Sequence, residues 1–194
     1  SVSSLSPNNG PTAGNTIVTV FGSNFLIAGS WCRFGLLPIV LSTFISPSEV
    51  RCRAPAVGSS GYVSVEVSTN MTDFTQQGVQ YYYFSPVSVS SIAPTTGPTT
   101  GGAAVTVVGS NFLNVPTLSC KFANSTVVSG GFVTSTTIVC VSPLLNLTGS
   151  YPIEVSNNNQ DYSTDNRQFT WYGQTTVTSI YPPAGSVLGG TLIT

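Results

Sequence analysis

Two stretches of this chain, "VTVFGSNF" at Val18–Phe25 and "VTVVGSNF" at Val105–Phe112, differ at a single position. The repetition extends well beyond them. "VSSLSP" at Val2 returns as "VSSIAP" at Val89 and as "VTSIYP" at Val177, with offsets of 87 and 88 residues. "GPTAG" at Gly10 matches "GPTTG" at Gly97 and, more loosely, "GSVLG" at Gly185. "CRF" at Cys32 matches "CKF" at Cys120, "VSVEVS" at Val63 matches "YPIEVS" at Tyr151, and "YYYF" at Tyr81 matches "FTWY" at Phe169. A register held from end to end means that the chain folds as copies of one unit. The copies span residues 1–85 and 89–173, with 176–194 as the start of a third, incomplete one.

Within each copy the apolar residues alternate. Val18 and Val20 flank Thr19, Val63, Val65 and Val67 are separated by Ser64 and Glu66, and Tyr81 and Tyr83 share a phase with Phe169 and Trp171. Period-two runs broken every 8 to 12 residues by Gly, Pro, Asn and Ser clusters predict short antiparallel strands in a sandwich. No stretch carries helical periodicity. The opening "SxSPxxGPTAG", the "VTVFGSNF" segment, the "CRFG" and "VRCRAP" pair and the closing aromatic strand resemble the IPT/TIG domain, an immunoglobulin-like module of plexins and related receptors. The resemblance covers nearly all of 2–84 and 89–172 and implies an all-β chain: tandem immunoglobulin-like β-sandwiches (IPT/TIG) with a partial third repeat. Such a fold says little about function.

The repeated corner has a local explanation. Gly10 and Gly97 each precede a Pro that fixes φ, which suits a tight turn. Gly22 and Gly109 give the strand a sharp exit, Asn24 and Asn111 can bond local backbone, and Phe25 and Phe112 return to the core.

Four cysteines allow three pairings. The repeat selects Cys32 with Cys52 and Cys120 with Cys140, twenty residues apart in each copy and on the core-facing phase of their strands. Each bridge would contribute about 3 kcal/mol by restricting the unfolded chain. A structural zinc site does not fit, since there is no Cys-x-x-Cys and no His. Disulfides place the chain in an oxidising, extracellular compartment, secreted or on the cell surface.

Only 6% of residues are charged, the net charge is −1, and 28 Ser with 25 Thr take up the difference. Five scattered Lys and Arg cannot displace enough counterions for a duplex interface, so no nucleic-acid partner is expected. The longest apolar run, "FGLLPIVL" at Phe34–Leu41, is far short of the ~20 residues of a spanning helix, so no membrane span is expected in this segment. The chain has no initiator Met and no leader pattern, as expected of a processed chain or a segment of a longer protein.

Residues suited to catalysis are scarce. Without His there is no His-based triad. Glu66 and Glu154 recur at one repeat position, between inward residues, and are expected to face solvent one per domain rather than form an acid–base pair. Asp161 and Asp165 lie in "NNNQDYSTDN", which aligns with a segment holding Asp73. A hairpin loop fits better than a calcium site needing 6 to 8 oxygens. The chain is therefore not expected to be an enzyme or to use a cofactor. N-linked glycans are the expected modification, with sequons at Asn70, Asn124 and Asn146.

The connectors are short. "SPVS" (Ser85–Ser88) predicts a semi-rigid joint and sandwiches stacked end to end, while "GQTT" (Gly173–Thr176) predicts a looser one. The nineteen residues 176–194 cannot enclose a core alone. Val177, Ile180, Leu188, Leu192 and Ile193 are therefore candidates for an inter-subunit or donor-strand segment. Low charge also favours association. These features lead to an expected structural or adhesive glycoprotein unit: a rigid rod that self-associates into a surface assembly or filament, its partner a homopolymer or neighbouring repeats. The alternative is the stalk or ligand-binding region of a larger cell-surface receptor, contacting another cell-surface protein or a glycan.

Overall fold

The computed structural model describes residues 1–27 and 29–194, and it contains strands and no helix among them. The first repeat holds β1 (Val2–Ser6), β2 (Asn9–Pro11), β3 (Ile17–Gly22), β4 (Trp31–Phe34), β5 (Val40–Leu41), β6 (Thr43–Ser46), β7 (Glu49–Arg53), β8 (Gly61–Ser68) and β9 (Val79–Phe84). One sheet has the order β1-β3-β7-β6 and the other β2-β9-β8-β4-β5. The opening strand thus serves both layers. β1 runs antiparallel to β3, and after the cis Ser6–Pro7 peptide β2 joins the opposite sheet parallel to β9.

The second repeat follows the same path with β10 (Ser88–Ala93), β11 (Thr96–Pro98), β12 (Ala104–Ser110), β13 (Ser119–Phe122), β14 (Thr126–Thr134), β15 (Thr137–Val141), β16 (Gly149–Ser156) and β17 (Arg167–Tyr172). Here β14 runs unbroken for nine residues, pairing with β13 through Thr126–Ser129 and with β15 through Gly130–Thr134. The two layers become one eight-stranded sheet, β10-β12-β15-β14-β13-β16-β17-β11. The change of partner falls at Gly130, where a Cβ would lie 2.9 Å from the Leu118 side chain. The first repeat breaks the same strand into β5 and β6 at Ser42, whose N–H and hydroxyl both donate to Ser30 O.

Each sandwich encloses its own core. Val18, Val20, Val50, Val65, Val67, Phe34, Tyr81 and Tyr83 pack in the first. Val105, Val107, Ile138, Ile153, Val155, Phe122, Phe169 and Trp171 pack in the second. The aromatic strands meet Phe34 and Phe122 edge to face, with Phe34–Tyr81 at 5.4 Å and Phe122–Trp171 at 5.7 Å between centroids. One buried aromatic tip finds the same partner in both repeats. Tyr83 Oη donates to Pro55 O at 2.9 Å and Trp171 Nε1 to Pro143 O at 3.4 Å. Cys32 is joined to Cys52 and Cys120 to Cys140, each bridge linking the facing sheets with Cα atoms 6.3 Å apart.

The "GSNF" corner closes each sandwich. A Cβ on Gly22 would stand 1.9 Å from Ser1 O, and one on Gly109 would stand 2.0 Å from Ser88 O. Asn24 and Asn111 occupy the left-handed region at φ 62 and 63, which Asn tolerates better than most residues. Phe25 and Phe112 are buried, as their recurrence predicts. Residues 173–194 contain no strand. One pair of bonds folds this stretch on itself, Tyr181 N to Thr194 O at 3.0 Å and Thr194 N to Tyr181 O at 2.9 Å. Val177, Ile180, Leu188, Leu192 and Ile193 are all exposed.

Candidate functional site

The most elaborate polar arrangement in the molecule lies where the second repeat meets the first. β9 ends at Phe84 and β10 begins at Ser88, so Ser85–Val87 alone connect them. Val87 already packs on the second core, and Pro86 O accepts a bond from Asn111 Nδ2 at 2.7 Å. A connector tied at this end leaves little slack.

The loop after β16 completes the joint. In Ser156-Asn157-Asn158-Asn159-Gln160-Asp161, Asn158 Oδ1 accepts from Ser156 Oγ at 3.0 Å and from the backbone N–H groups of Gln160 and Asp161 at 3.1 and 2.8 Å. Its Nδ2 donates to Asp161 Oδ2 at 2.7 Å. This is an Asx-type turn, in which the side chain takes the place of a backbone acceptor. The turn then presents three groups to the first repeat. Asn158 Nδ2 donates to Asn9 O at 3.1 Å, and Asp161 Oδ2 accepts from Thr16 Oγ1 at 2.6 Å. The Gln160 amide, with its oxygen toward Ile17 N and its nitrogen toward Ile17 O, pairs with that residue's backbone at 2.7 and 3.1 Å. Thr16 and Asn158 are both buried at this contact.

Asp165, four residues on, turns the other way. Its Oδ2 accepts from Val89 N at 2.7 Å, while Arg167 Nε donates to Val89 O at 3.1 Å, clipping β10 to its own sandwich. The two aspartates of "NNNQDYSTDN" thus serve separate structural bonds. Among the described residues no three of His, Cys, Asp or Glu converge in a metal-binding group.

One sequence expectation needs correction. Glu66 does not face solvent: it is 6% exposed, and its carboxylate accepts from Thr75 Oγ1 and, at 2.9 Å, from Gly78 N. Strand alternation did place Glu66 on the outer face of β8. The segment 69–78 folds back over that face, fixed by Thr75 N to Val67 O and Val67 N to Thr75 Oγ1, both at 3.0 Å. Glu154 is half-buried and ion-paired with Lys121 at 2.7 Å. In both repeats the cation opposite the glutamate also lies over an aromatic ring, Arg33 on Phe74 and Lys121 on Tyr162, each 4.1 Å from the centroid. Glu66 and Glu154 therefore hold loops, each in its own sandwich.

The three sequon asparagines are exposed. Asn70 lies in the loop after β8, Asn124 in the β13–β14 turn at φ 61, and Asn146 in the segment after β15. Among the described residues no helix is long and apolar enough to cross a membrane. The sequence predicts the short connector but not the loop that latches the joint, although one signal is present: the Ser-x-Asn-x-x-Asp spacing of Ser156, Asn158 and Asp161 repeats Ser68, Asn70 and Asp73.

The family model for the IPT/TIG domain matches residues 1–83 and 86–171. Human Plexin-A3 is 27% identical over 214 aligned residues, covering 100% of this chain and 11% of that protein. Human Fibrocystin-L is 32% identical over 111 residues, covering 57% of this chain and 2% of its own length. The chain spans about a tenth or less of these curated relatives. Among solved structures, the full extracellular region of plexin A4 superimposes with a TM-score of 0.62 at 19% identity, over 97% of this chain and 18% of that one. The superposition extends across both sandwiches.

Proposed function

Because the chain belongs to the IPT/TIG domain family, we propose that it is a non-enzymatic spacer within the extracellular stalk or ligand-binding region of a larger cell-surface receptor. The observation that carries this reading is the joint. Three residues of connector and a buried set of bonds from Asn158, Gln160 and Asp161 to Asn9, Ile17 and Thr16 set one sandwich against the next. A joint of that kind keeps a recognition head at a fixed distance and orientation. The disulfides Cys32–Cys52 and Cys120–Cys140 fit an oxidising compartment. The partner in this reading is another cell-surface protein.

Binding of an antibody raised against the protein to intact, unpermeabilised cells tests the location. The protein should be captured from outside, with both cysteine pairs oxidised. Recovery from the cytosol with four free thiols would end the proposal.

Self-association into a filament is the second reading. It is supported by exposed Val177, Ile180, Leu188, Leu192 and Ile193 on a chain of net charge −1. Sedimentation at increasing concentration separates the two, since a stalk stays monomeric and a filament unit grows.

A further inference from the structure

The loop after β8 in the first repeat copies the latch of the second repeat bond for bond. Asn70 Oδ1 accepts from Ser68 Oγ at 3.0 Å and from Asp73 N at 2.8 Å, and Asn70 Nδ2 donates to Asp73 Oδ2 at 2.8 Å. The matching distances around Asn158 are 3.0, 2.8 and 2.7 Å. A carboxamide nitrogen carries two hydrogens. Asn158 gives its second one to Asn9 O across the joint. Among the described residues the second hydrogen of Asn70 has no partner, and the side chain is exposed.

The two loops part at the third position. Asn158-Asn159-Gln160 is no glycan acceptor, whereas Asn70-Met71-Thr72 has the acceptor pattern. Thr72 N donates to Asn70 Oδ1 at 3.0 Å and Thr72 Oγ1 to Asn70 O at 3.4 Å, so the hydroxyl residue stands beside the amide. Met71, at φ 64, turns the chain outward between them. Where the loop is buried in a joint it lacks the sequon, and where it is open it has one.

We propose that Asn70 carries an N-linked oligosaccharide, and that the sugar takes the amide position through which Asn158 grips its neighbour, so that this loop is capped rather than mated. The inference rests on the extracellular reading above. In the transfer, C1 of the first sugar of a polyprenyl-diphosphate-linked oligosaccharide forms a bond to Asn70 Nδ2. Its bond to the diphosphate oxygen breaks, the diphosphate leaves with the electron pair, and the displaced amide proton passes to a base of the transferase. The remaining Nδ2 hydrogen still serves Asp73, so the turn is kept. A sandwich docked as the second repeat docks on the first would need the space the sugar fills.

The test is site mapping on the full chain secreted from cultured animal cells. Treatment with peptide-N-glycosidase in heavy-oxygen water converts each sugar-bearing Asn to labelled Asp. Asn70 should be labelled in most molecules. N70Q and T72A should each lose one glycan and no other, T72A doing so with the Asn70 turn intact. Q160T puts a sequon on the second loop, while Q160A loses the same bonds to Ile17 without gaining one. Q160T molecules glycosylated at Asn158 should show a radius of gyration in small-angle scattering increased beyond that of Q160A, and by more than the mass of the sugar accounts for. An unlabelled Asn70 beside labelled Asn124 or Asn146 overturns the inference, as would be expected of a loop that instead docks a further sandwich. Glycosylation at Asn158 with no such excess overturns the exclusion. If all three sequons are empty in native material the inference is overturned, while the extracellular reading still stands or falls on the oxidation of Cys32–Cys52 and Cys120–Cys140.

Discussion

Thr16 donates its hydroxyl hydrogen to Asp161 Oδ2 at 2.6 Å, across a sequence separation of 145 residues and between two sandwiches with separate cores. The bond is short because its acceptor is a carboxylate. It is consequential because Thr16 is buried, so no water can replace it without opening the contact.

Replacing Thr16 by Val keeps the volume and removes the donor. The joint should weaken by about 1–3 kcal/mol, the usual cost of leaving a charged acceptor short of a partner. Both sandwiches should melt as before, while limited proteolysis at Ser85–Val87 accelerates. In a double-mutant cycle with D161A the two losses should fall short of additivity. Additive effects would show that the residues do not act through each other.

Glu66→Ala should act on the loop rather than the core. It leaves the Thr75 hydroxyl and the Gly78 N–H without their acceptor, at a cost of about 1–3 kcal/mol. Hydrogen exchange at Gly78 should speed up well before that of the β8–β9 ladder. Unchanged protection at Gly78 would mean that Glu66 is not what holds residues 69–78 down.

Gly109→Ala sets a methyl group 2.0 Å from Ser88 O and 2.7 Å from the Phe112 ring. Backbone cannot yield as a flexible side chain can, so the loss should reach or exceed the ~1–3 kcal/mol of ordinary overpacking. Calorimetry should show the second repeat melting earlier and the first unmoved. Equal loss in both transitions would point to a cooperative pair instead of independent modules.

Burial raises the phenol pKa values of Tyr81 and Tyr83 above the ordinary ~10. The folded state then holds these protons more tightly than the unfolded one. The associated stability is complete below pH ~10 and is lost as pH climbs from there toward the raised folded values. Denaturant midpoints should therefore decline above that pH, and part of the tyrosinate absorbance should appear only together with unfolding. Full tyrosinate absorbance in a still-folded chain would contradict the burial of these two rings.

Strands, sandwiches and bridges were legible in the sequence because alternation and repetition report directly on which side of a sheet a residue faces. Val18, Val65, Cys52 and Trp171 are buried where their phase puts them. Glu66 was not legible, since phase says which layer surface a residue is on and nothing about a loop returning over it. The latch across the joint was hidden for a related reason, although the short connector at Ser85–Ser88 was legible. "STNMTD" and "SNNNQD" build the same turn, and what separates an open loop from a buried latch is the neighbour, here Asn9, Thr16 and Ile17 from another copy of the unit. The unbroken β14 was obscured because its alternation continues through Gly130 and Gly131, residues ordinarily read as a break.

The parallel pairing of the second strand of each repeat with its last bears on how such a module responds to being pulled. β2 lies beside β9 and β11 beside β17 in the same direction, bracketed by Tyr82 N to Asn8 O at 3.0 Å and Thr12 N to Phe84 O at 2.8 Å in one repeat, and by Thr170 N to Thr95 O and Thr99 N to Tyr172 O, both at 2.9 Å, in the other. Tension applied along the chain drags the two members of each pair in opposite directions. The bonds are loaded in shear, all together, and cannot open one after another like a zipper. Each sandwich therefore meets a tug between its two chain ends with its clasp engaged as a whole.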